Sequence, residues 1–322
     1  MSKVYITDSS FASNEIEMTT LQENGHECVL LGTRDPAEIA RRAADAEALL
    51  VQFAPINDQV LEAMPGLKVM VRYGIGVDNF DLAVVRRHGA VACNCPGYCL
   101  EEVADHTLAF ILASARKLPQ VGGNTRAGRW TVGEGKSPIM SLGGKTLGFI
   151  GFGAIGKQVA SRALAFGMRL IAYDPYLSES DAERHQVERV PLDALWGRSD
   201  FITLHCPLTE ETRHVVDRDA FARMKPGVIL INNGRGGLVD EAALLDALNA
   251  GQVAMAALDV LEVEPPREDY PLLSHPNVLV TPHVASVSEH SSARLQQMAV
   301  DEVVRVLSGR PAAHPVGGTG SA

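Results

Sequence analysis

Long apolar runs are missing from this chain. None reaches the roughly 18 residues a membrane helix needs, so no membrane span is expected. A basic excess is missing too. Against 39 Asp and Glu stand 29 Lys and Arg, giving a net charge of −10 and a pI near 5.5. That argues against nucleic acid as a main partner, because neutralising phosphates takes a basic face. Cysteine is sparse and odd in number: Cys28, Cys93, Cys95, Cys99 and Cys206 do not suggest a disulfide framework. The C-x-C-x3-C spacing of Cys93, Cys95 and Cys99 fits no common zinc pattern, so no metal is expected. The opening MSKVYITDSS lacks the apolar core of a secretory signal and reads as a strand, and a cytoplasmic location is expected. What is there describes an ordinary globular protein, 46% hydrophobic and 21% charged, whose 322 residues suit two domains better than one.

The most informative stretch runs from Thr146 to Asp174. Thr146 to Ile150 is an apolar run of strand length, and Gly151, Gly153 and Gly156 follow as G-x-G-x-x-G. Ala154 to Phe166 carries apolar residues at helical spacing, and Arg169 to Tyr173 is apolar again and ends at Asp174. Gly151 allows a tight turn, Gly153 lets backbone approach a pyrophosphate, and Gly156 lets the helix pack close to the strand. The helix N-terminus offers N–H groups and partial positive charge to phosphates. Asp174 would accept hydrogen bonds from the adenosine ribose, and a 2′-phosphate there would meet a carboxylate, so NAD is favoured over NADP.

Around this unit the chain alternates strands and helices. In residues 1 to about 100, strands are expected at Val4–Thr7, Cys28–Leu31, Ala48–Gln52, Val69–Arg72 and Val91–Cys93, with helices between them. Leu100 to Leu118 reads as one long helix, and Val121–Leu142, holding the lone Trp130, as a loop. From Gly144, six strands are expected, at Thr146–Ile150, Arg169–Tyr173, Phe201–His205, Val228–Asn232, Met255–Val260 and Val278–Thr281. A last helix covers about Ser288 to Leu307, and the Gly/Ala/Pro-rich tail Pro311–Ala322 is expected to be disordered. The fold class is α/β with two doubly wound parallel sheets.

In such sheets, ligands bind beyond the carboxyl ends of the strands. Arg235 follows VILINN, Asp259 ends MAALDV with Glu264 shortly after, and His283 follows VLVTP. Together they offer what a carbonyl reduction needs. An Arg clamps a carboxylate, a His delivers a proton to the nascent alkoxide, and a carboxylate beside that His orients it and raises its pKa.

These residues lie in segments that resemble the D-isomer-specific 2-hydroxyacid dehydrogenases over nearly the whole chain. The matching pieces are VRYGIGVDNFDL, NCPGYCLEEVADHTLAFILASARK, TLGFIGFGAIGKQVA, HCPLTEETRHVV, MKPGVILINNGRGGLVDEAAL, ALDVLEVEPP and NVLVTPHVA. The resemblance implies catalytic roles for Arg235, Glu264 and His283, with substrate held between two domains. It implies cofactor contacts from Gly151, Gly153, Ala154, Ile155, Gly156, Asp174, His205, Pro207, Thr212, Asn233, Gly234, Asp259 and Ser286. It implies a substrate-carboxylate loop at Gly74, Ile75 and Gly76, with Arg72 and Tyr73 beside it. It also implies a substrate domain of residues 1–100 plus 288–322, flavodoxin-like, around a Rossmann domain of residues 101–287, and a homodimer through the long helix and loop. The expected function is NAD-dependent interconversion of a small 2-keto acid and its (R)-2-hydroxy acid. PGYCLEEVADH and YDPYLS look most like the C-terminal-binding-protein branch, which argues against a serine-biosynthesis role, and Glu264 in place of Gln argues against formate.

Other readings stay open on the residues alone. Glu262 competes with Glu264, and only the family register chooses. His205 could be structural, His106 a packing or interface residue, and Arg72 a partner of Asp78 or Asp81. Trp130 suits a subunit contact as well as a pocket. The substrate side-chain pocket is expected from parts of 52–56, 97–100 and 130–140. A regulatory NAD-sensing protein of the corepressor type, or a dehydrogenase of a non-carboxylate such as phosphite, are the alternatives to a keto-acid enzyme.

Overall fold

A computed structural model describes residues 1–130 and 139–317. The chain forms two compact units, one of Met1–Tyr98 with Val287–Ala322 and the other of Cys99–Ser286. Among the described residues, no helix is long and apolar enough to cross a membrane.

The first unit is built on five parallel strands, β1 (Lys3–Ile6), β2 (Glu27–Leu30), β3 (Ala48–Val51), β4 (Val69–Arg72) and β5 (Val91–Cys93), in the order β2-β1-β3-β4-β5. The inner strand β3 is wholly apolar and β4 is apolar up to Arg72, because both faces are covered. The helix Glu289–Leu307 packs on β4, β3 and the helix Glu15–Glu23. Its buried Leu295, Ala299 and Val303 recur every four residues and make one apolar stripe, and a Ser288–Ser291 capping box starts it. The tail departs from expectation. Pro315 bridges Cys93 in antiparallel sense, the Val316 N–H donates to the Ala92 carbonyl at 2.8 Å, and Glu302 accepts from the N–H groups of Ala313 and His314. The segment up to Gly317 therefore lies on the edge of β5, where the strand's backbone groups need partners. The rest of the tail lies outside the described residues.

Among its described residues the second unit holds seven parallel strands, one more than expected: β6 (Thr146–Ile150), β7 (Arg169–Tyr173), β8 (Val187–Arg189), β9 (Phe201–Leu204), β10 (Val228–Asn232), β11 (Val253–Leu258) and β12 (Val278–Val280). Their order is β12-β11-β10-β9-β6-β7-β8. Apolar clusters cover both faces, one around Trp196, Phe221 and Leu244, the other around Phe110, Phe149 and Val159. The expected helix Leu100–Leu118 stops at Ala115, and a second helix, Leu118–Arg126, takes up the start of the expected loop Val121–Leu142. Leu100–Ala115 ends, Lys117 turns to a left-handed φ of 52°, and Leu118–Arg126 begins with Pro119 in its first turn. Proline there suits a helix start and not a helix interior. Cys93, Cys95 and Cys99 are buried thiols, and burial pushes Cys95 up to about 12.

Candidate active site

Parallel strands put all their carboxyl ends on one edge of a sheet. Along that edge of the second unit, in spatial order, come His283 after β12, Asp259 after β11, Arg235 after β10, His205 after β9, Gly151 after β6 and Asp174 after β7. The acid–base candidates thus occupy three neighbouring strands and the dinucleotide motif the next three.

His283 Nδ1 lies 2.7 Å from Glu264 Oε2. Burial works to raise the Glu264 carboxyl, but the His283 bond and charge, the Leu261 N–H and the charge of Arg235 together hold it below its ordinary value. An ionised carboxylate only accepts, so Nδ1 must carry the proton and Nε2 is left as the exchanging nitrogen. Glu262, the rival, points elsewhere: its Oε1 pairs with His214 Nε2. His283 itself sits at φ 54°, a left-handed backbone that costs a histidine on the order of 1 kcal/mol or more. Its N–H donates to the carbonyls of Asp259 and Thr281. The carboxylate of Asp259, whose side chain is 1% exposed, accepts from Thr281 Oγ1 at 2.5 Å and from the N–H groups of Val284 and Ala285. These bonds hold the turn that carries His283. His106 reaches the same turn, with Nε2 3.2 Å from Thr281 Oγ1. Its helical position gave no sign of this. Ser286 follows, half-buried.

The Asn233–Gly234–Arg235 turn is shaped by buried Asn232, which accepts from the Gly234 N–H and donates to the Arg235 carbonyl. Arg235 is extended and donates from Nη1 to the Gly234 carbonyl. Gly236 is required by proximity, because a Cβ there would fall 1.9 Å from the Leu261 carbonyl carbon. The Arg235 turn and the Glu264 loop therefore touch backbone to backbone. Glu241 anchors that loop by accepting the Glu262 N–H at 2.9 Å and pairing with the Tyr270 hydroxyl.

Gly151 has φ 83°, and a Cβ would stand 2.5 Å from the Cys206 nitrogen. Glycine alone suits it. Gly156 packs near the Gly151 carbonyl, while no atom of the described residues lies within 4 Å of a Cβ at Gly153. Among the described residues no side chain caps the helix Ala154–Ala165, and Ile155 packs on the core. Asp174 accepts the N–H groups of Phe152 and Tyr176, which fixes it beside the glycine turn with two lone-pair sites to spare. Asn233 Nδ2 donates to Thr107, and its buried Oδ1 has no partner among the described residues. The open glycine, the uncapped helix, the spare acceptors of Asp174 and the orphaned Oδ1 all fit a dinucleotide with phosphate, ribose hydroxyl and amide groups. His205 is held by Thr203 and packs near Phe149, and burial pushes it down to about 4, so it is neutral at physiological pH. Thr212 donates to the Pro207 carbonyl and closes the 207–212 turn.

Residues 108–285 match the family described as "D-isomer specific 2-hydroxyacid dehydrogenase, NAD binding domain". The chain belongs to this family. Among curated relatives, D-3-phosphoglycerate dehydrogenase of Archaeoglobus fulgidus is 39% identical over 92% of the chain, which spans only 56% of that longer protein. Hydroxypyruvate reductase of Thermotoga maritima is 41% identical over 84% of the chain and 88% of its own length. A crystal structure of D-lactate dehydrogenase from Aquifex aeolicus, complexed with NAD and lactic acid, superposes with a TM-score of 0.86 at 28% identity, covering 99% of this chain and all of that one.

In the first unit, the loop expected to take the substrate carboxylate follows β4. Tyr73 is buried, and its hydroxyl donates to Glu17 Oε1 at 2.7 Å. Arg72 Nη1 donates to the Tyr73 carbonyl. The carbonyls of Gly74 and Ile75 accept from the Cys95 N–H and from Asn94 Nδ2, leaving the Ile75 side chain exposed and Gly76 half-buried. Of the expected side-chain pocket, Gln52 is tied to Ser10 by two hydrogen bonds, and Phe53 lies under the Arg34 guanidinium. Residues 131–138 lie outside the described residues, and Trp130 is 85% exposed.

Proposed function

We propose that the chain is an NAD-dependent oxidoreductase that interconverts a small 2-keto acid and its (R)-2-hydroxy acid. The observation that carries this is the His283–Glu264 pair on the same sheet edge as Arg235 and the dinucleotide turn. When bound, the nicotinamide supplies the hydride that reduces the keto carbon. The chain's own groups do the rest. Asp174, the Gly151–Gly156 turn, Asn233 and the 205–212 segment bind the cofactor, and Asp174 favours NAD over NADP. Arg235 clamps the substrate carboxylate and carbonyl oxygen through its fork of N–H groups. His283 gives its Nε2 proton to the carbonyl oxygen as negative charge develops there, and takes it back in the oxidative direction. Glu264 keeps the ring in the tautomer that makes this possible. The Gly74–Gly76 loop offers the backbone N–H groups of Ile75 and Gly76 to the substrate carboxylate, the Gly74 N–H being donated to the Arg72 carbonyl at 2.9 Å. We assign the unit containing that loop to the substrate and the other to the cofactor.

The relatives' names, reductases and dehydrogenases of keto and hydroxy acids, support this reading over a purely regulatory one. A homodimer is part of the proposal. The helix Leu118–Arg126 buries none of its residues and exposes Leu118 and Val121, which suits a subunit contact.

The test is NADH oxidation with glyoxylate, hydroxypyruvate, pyruvate, branched 2-keto acids and phosphohydroxypyruvate, using the native chain and His283→Ala. A general acid contributes roughly 10²–10⁴-fold, so the variant should lose that much on the best substrate while still binding NADH. Undiminished turnover in the variant would sink the assignment.

A further inference from the structure

Glu17 is a carboxylate with 0% exposure that takes no part in the chemistry above. Such burial is costly unless every acceptor site is used, and it is usually relieved by Lys or Arg. Here the partners are neutral. Oε1 accepts from the Tyr73 hydroxyl at 2.7 Å and from Asn14 Nδ2 at 3.2 Å, and Gln296 Nε2 lies 3.1 and 2.9 Å from the two oxygens. The donors come from three places: the start of Glu17's own helix, the end of β4 and the helix Glu289–Leu307. A leucine of similar size would join these elements more cheaply. What a leucine could not do is fix the rotation of a tyrosine ring through its hydroxyl.

That tyrosine directly precedes the Gly74–Gly76 loop and is held at every polar atom. Its N–H donates to the Val51 carbonyl at 2.8 Å, its carbonyl accepts from Arg72, and Phe11 meets its ring edge-on at 5.1 Å. The next two carbonyls are taken by Cys95 and Asn94. Glu17 thus fixes the Tyr73 ring from its hydroxyl, and the peptide planes that follow start from the backbone of the same residue.

We propose that Glu17 is a positioning residue for substrate. Through Tyr73 it holds the Gly74–Gly76 peptide planes, and so sets affinity for the keto-acid carboxylate without touching it. This rests on that loop being the carboxylate site.

The experiment is a double-mutant cycle of Glu17→Gln and Tyr73→Phe in the full chain, read by KM and kcat for glyoxylate and hydroxypyruvate, NADH affinity by fluorescence, melting temperature, and amide hydrogen exchange at residues 73–76. Each single change should raise the keto-acid KM by about tenfold, the size of one hydrogen bond, with kcat and NADH affinity nearly unchanged. The double variant should be no worse than the singles, because both cut the same link. Exchange at 73–76 should quicken in both. A lower melting temperature with unchanged KM would make Glu17 a structural residue only and overturn the proposal, as would additive effects. A native chain silent towards every keto acid sinks the substrate reading separately. Exchange at 73–76 that stays slow in both variants sinks the positioning role whatever the substrate is.

Discussion

Adding one methyl group at Gly236 tests whether the proposed catalytic carboxylate, Glu264, depends on backbone contact between two loops. The Cβ of Gly236→Ala would lie 1.9 Å from the Leu261 carbonyl carbon, 2.1 Å from its oxygen and 2.3 Å from the Glu262 nitrogen. Ordinary contact begins at 3.4 Å, so the Leu261–Glu262 peptide must retreat by 3.4 − 1.9 = 1.5 Å, or the Arg235 turn must do so. Neither can move alone. The Leu261 N–H holds Glu264 Oε1 at 3.0 Å, and the Glu262 N–H is held by Glu241. Glu264 is thus carried away from His283. A displacement of about 1 Å at reacting groups costs on the order of 100-fold, equal to roughly 2.7 kcal/mol of transition-state stabilisation. The assay is kcat/KM for the best keto acid, with NADH affinity and melting temperature measured on the same preparation. The glycine turn lies on other strands, so NADH affinity should hold where the Leu261–Glu262 peptide is the side that retreats, and fall where the Asn233–Arg235 turn does. A variant that melts and binds NADH like the native chain, yet keeps kcat/KM within about threefold, would refute the claim that this contact places Glu264.

Two further outcomes follow from the same edge of the sheet. Asp259→Asn puts an amide N–H₂ where the turn presents only donors, so it should release the His283 turn. A loss of about 1–3 kcal/mol in stability, read by urea unfolding, should come with a fall in kcat, and unchanged values of both would contradict the bonds described. His205 is held down at about 4 against an ordinary 6.5 by burial. The unfolded chain takes up its proton first, so the stability this residue contributes is present above about pH 6.5 and is lost as pH falls towards 4, by about 3 kcal/mol. Glu264, also depressed, adds a loss in the same direction but only below its ordinary 4.5. Urea midpoints of the native chain should therefore fall through the upper window, while His205→Gln should flatten that part of the curve and leave the lower part intact.

Strand positions were legible because buried parallel strands are continuous apolar runs bounded by glycine and polar turns. β8 was not, since Val187–Arg189 is a short edge strand with two exposed residues. The helix break at Lys117 is hidden in the sequence because a proline at 119 suits the position after one helix as well as the first turn of the next. At the site, residue types and strand-end positions pointed to Arg235, Glu264 and His283. Distances within loops do not follow from spacing, so the geometry was needed to show that Glu264 meets His283 while Glu262 meets His214. Asp259 was expected against the cofactor. Its bonds to Thr281, Val284 and Ala285 involve residues more than twenty positions away, where periodicity carries no information. Tyr73 was expected beside the substrate, and no local signal marks its tie to Glu17, 56 residues earlier.

The first unit is assembled from both ends of the chain, and this bears on how the protein is made. Its sheet leaves the ribosome early, but Gln296 and the apolar stripe of Glu289–Leu307 emerge only after the whole of Cys99–Ser286. Until then Glu17 lacks one of its donors and β3 and β4 lack part of their cover. Domains usually complete in the order they are synthesised. Here the second unit can mature first, and the earliest residues must wait with an open apolar face. That interval is when a nascent chain of this protein would most need a chaperone.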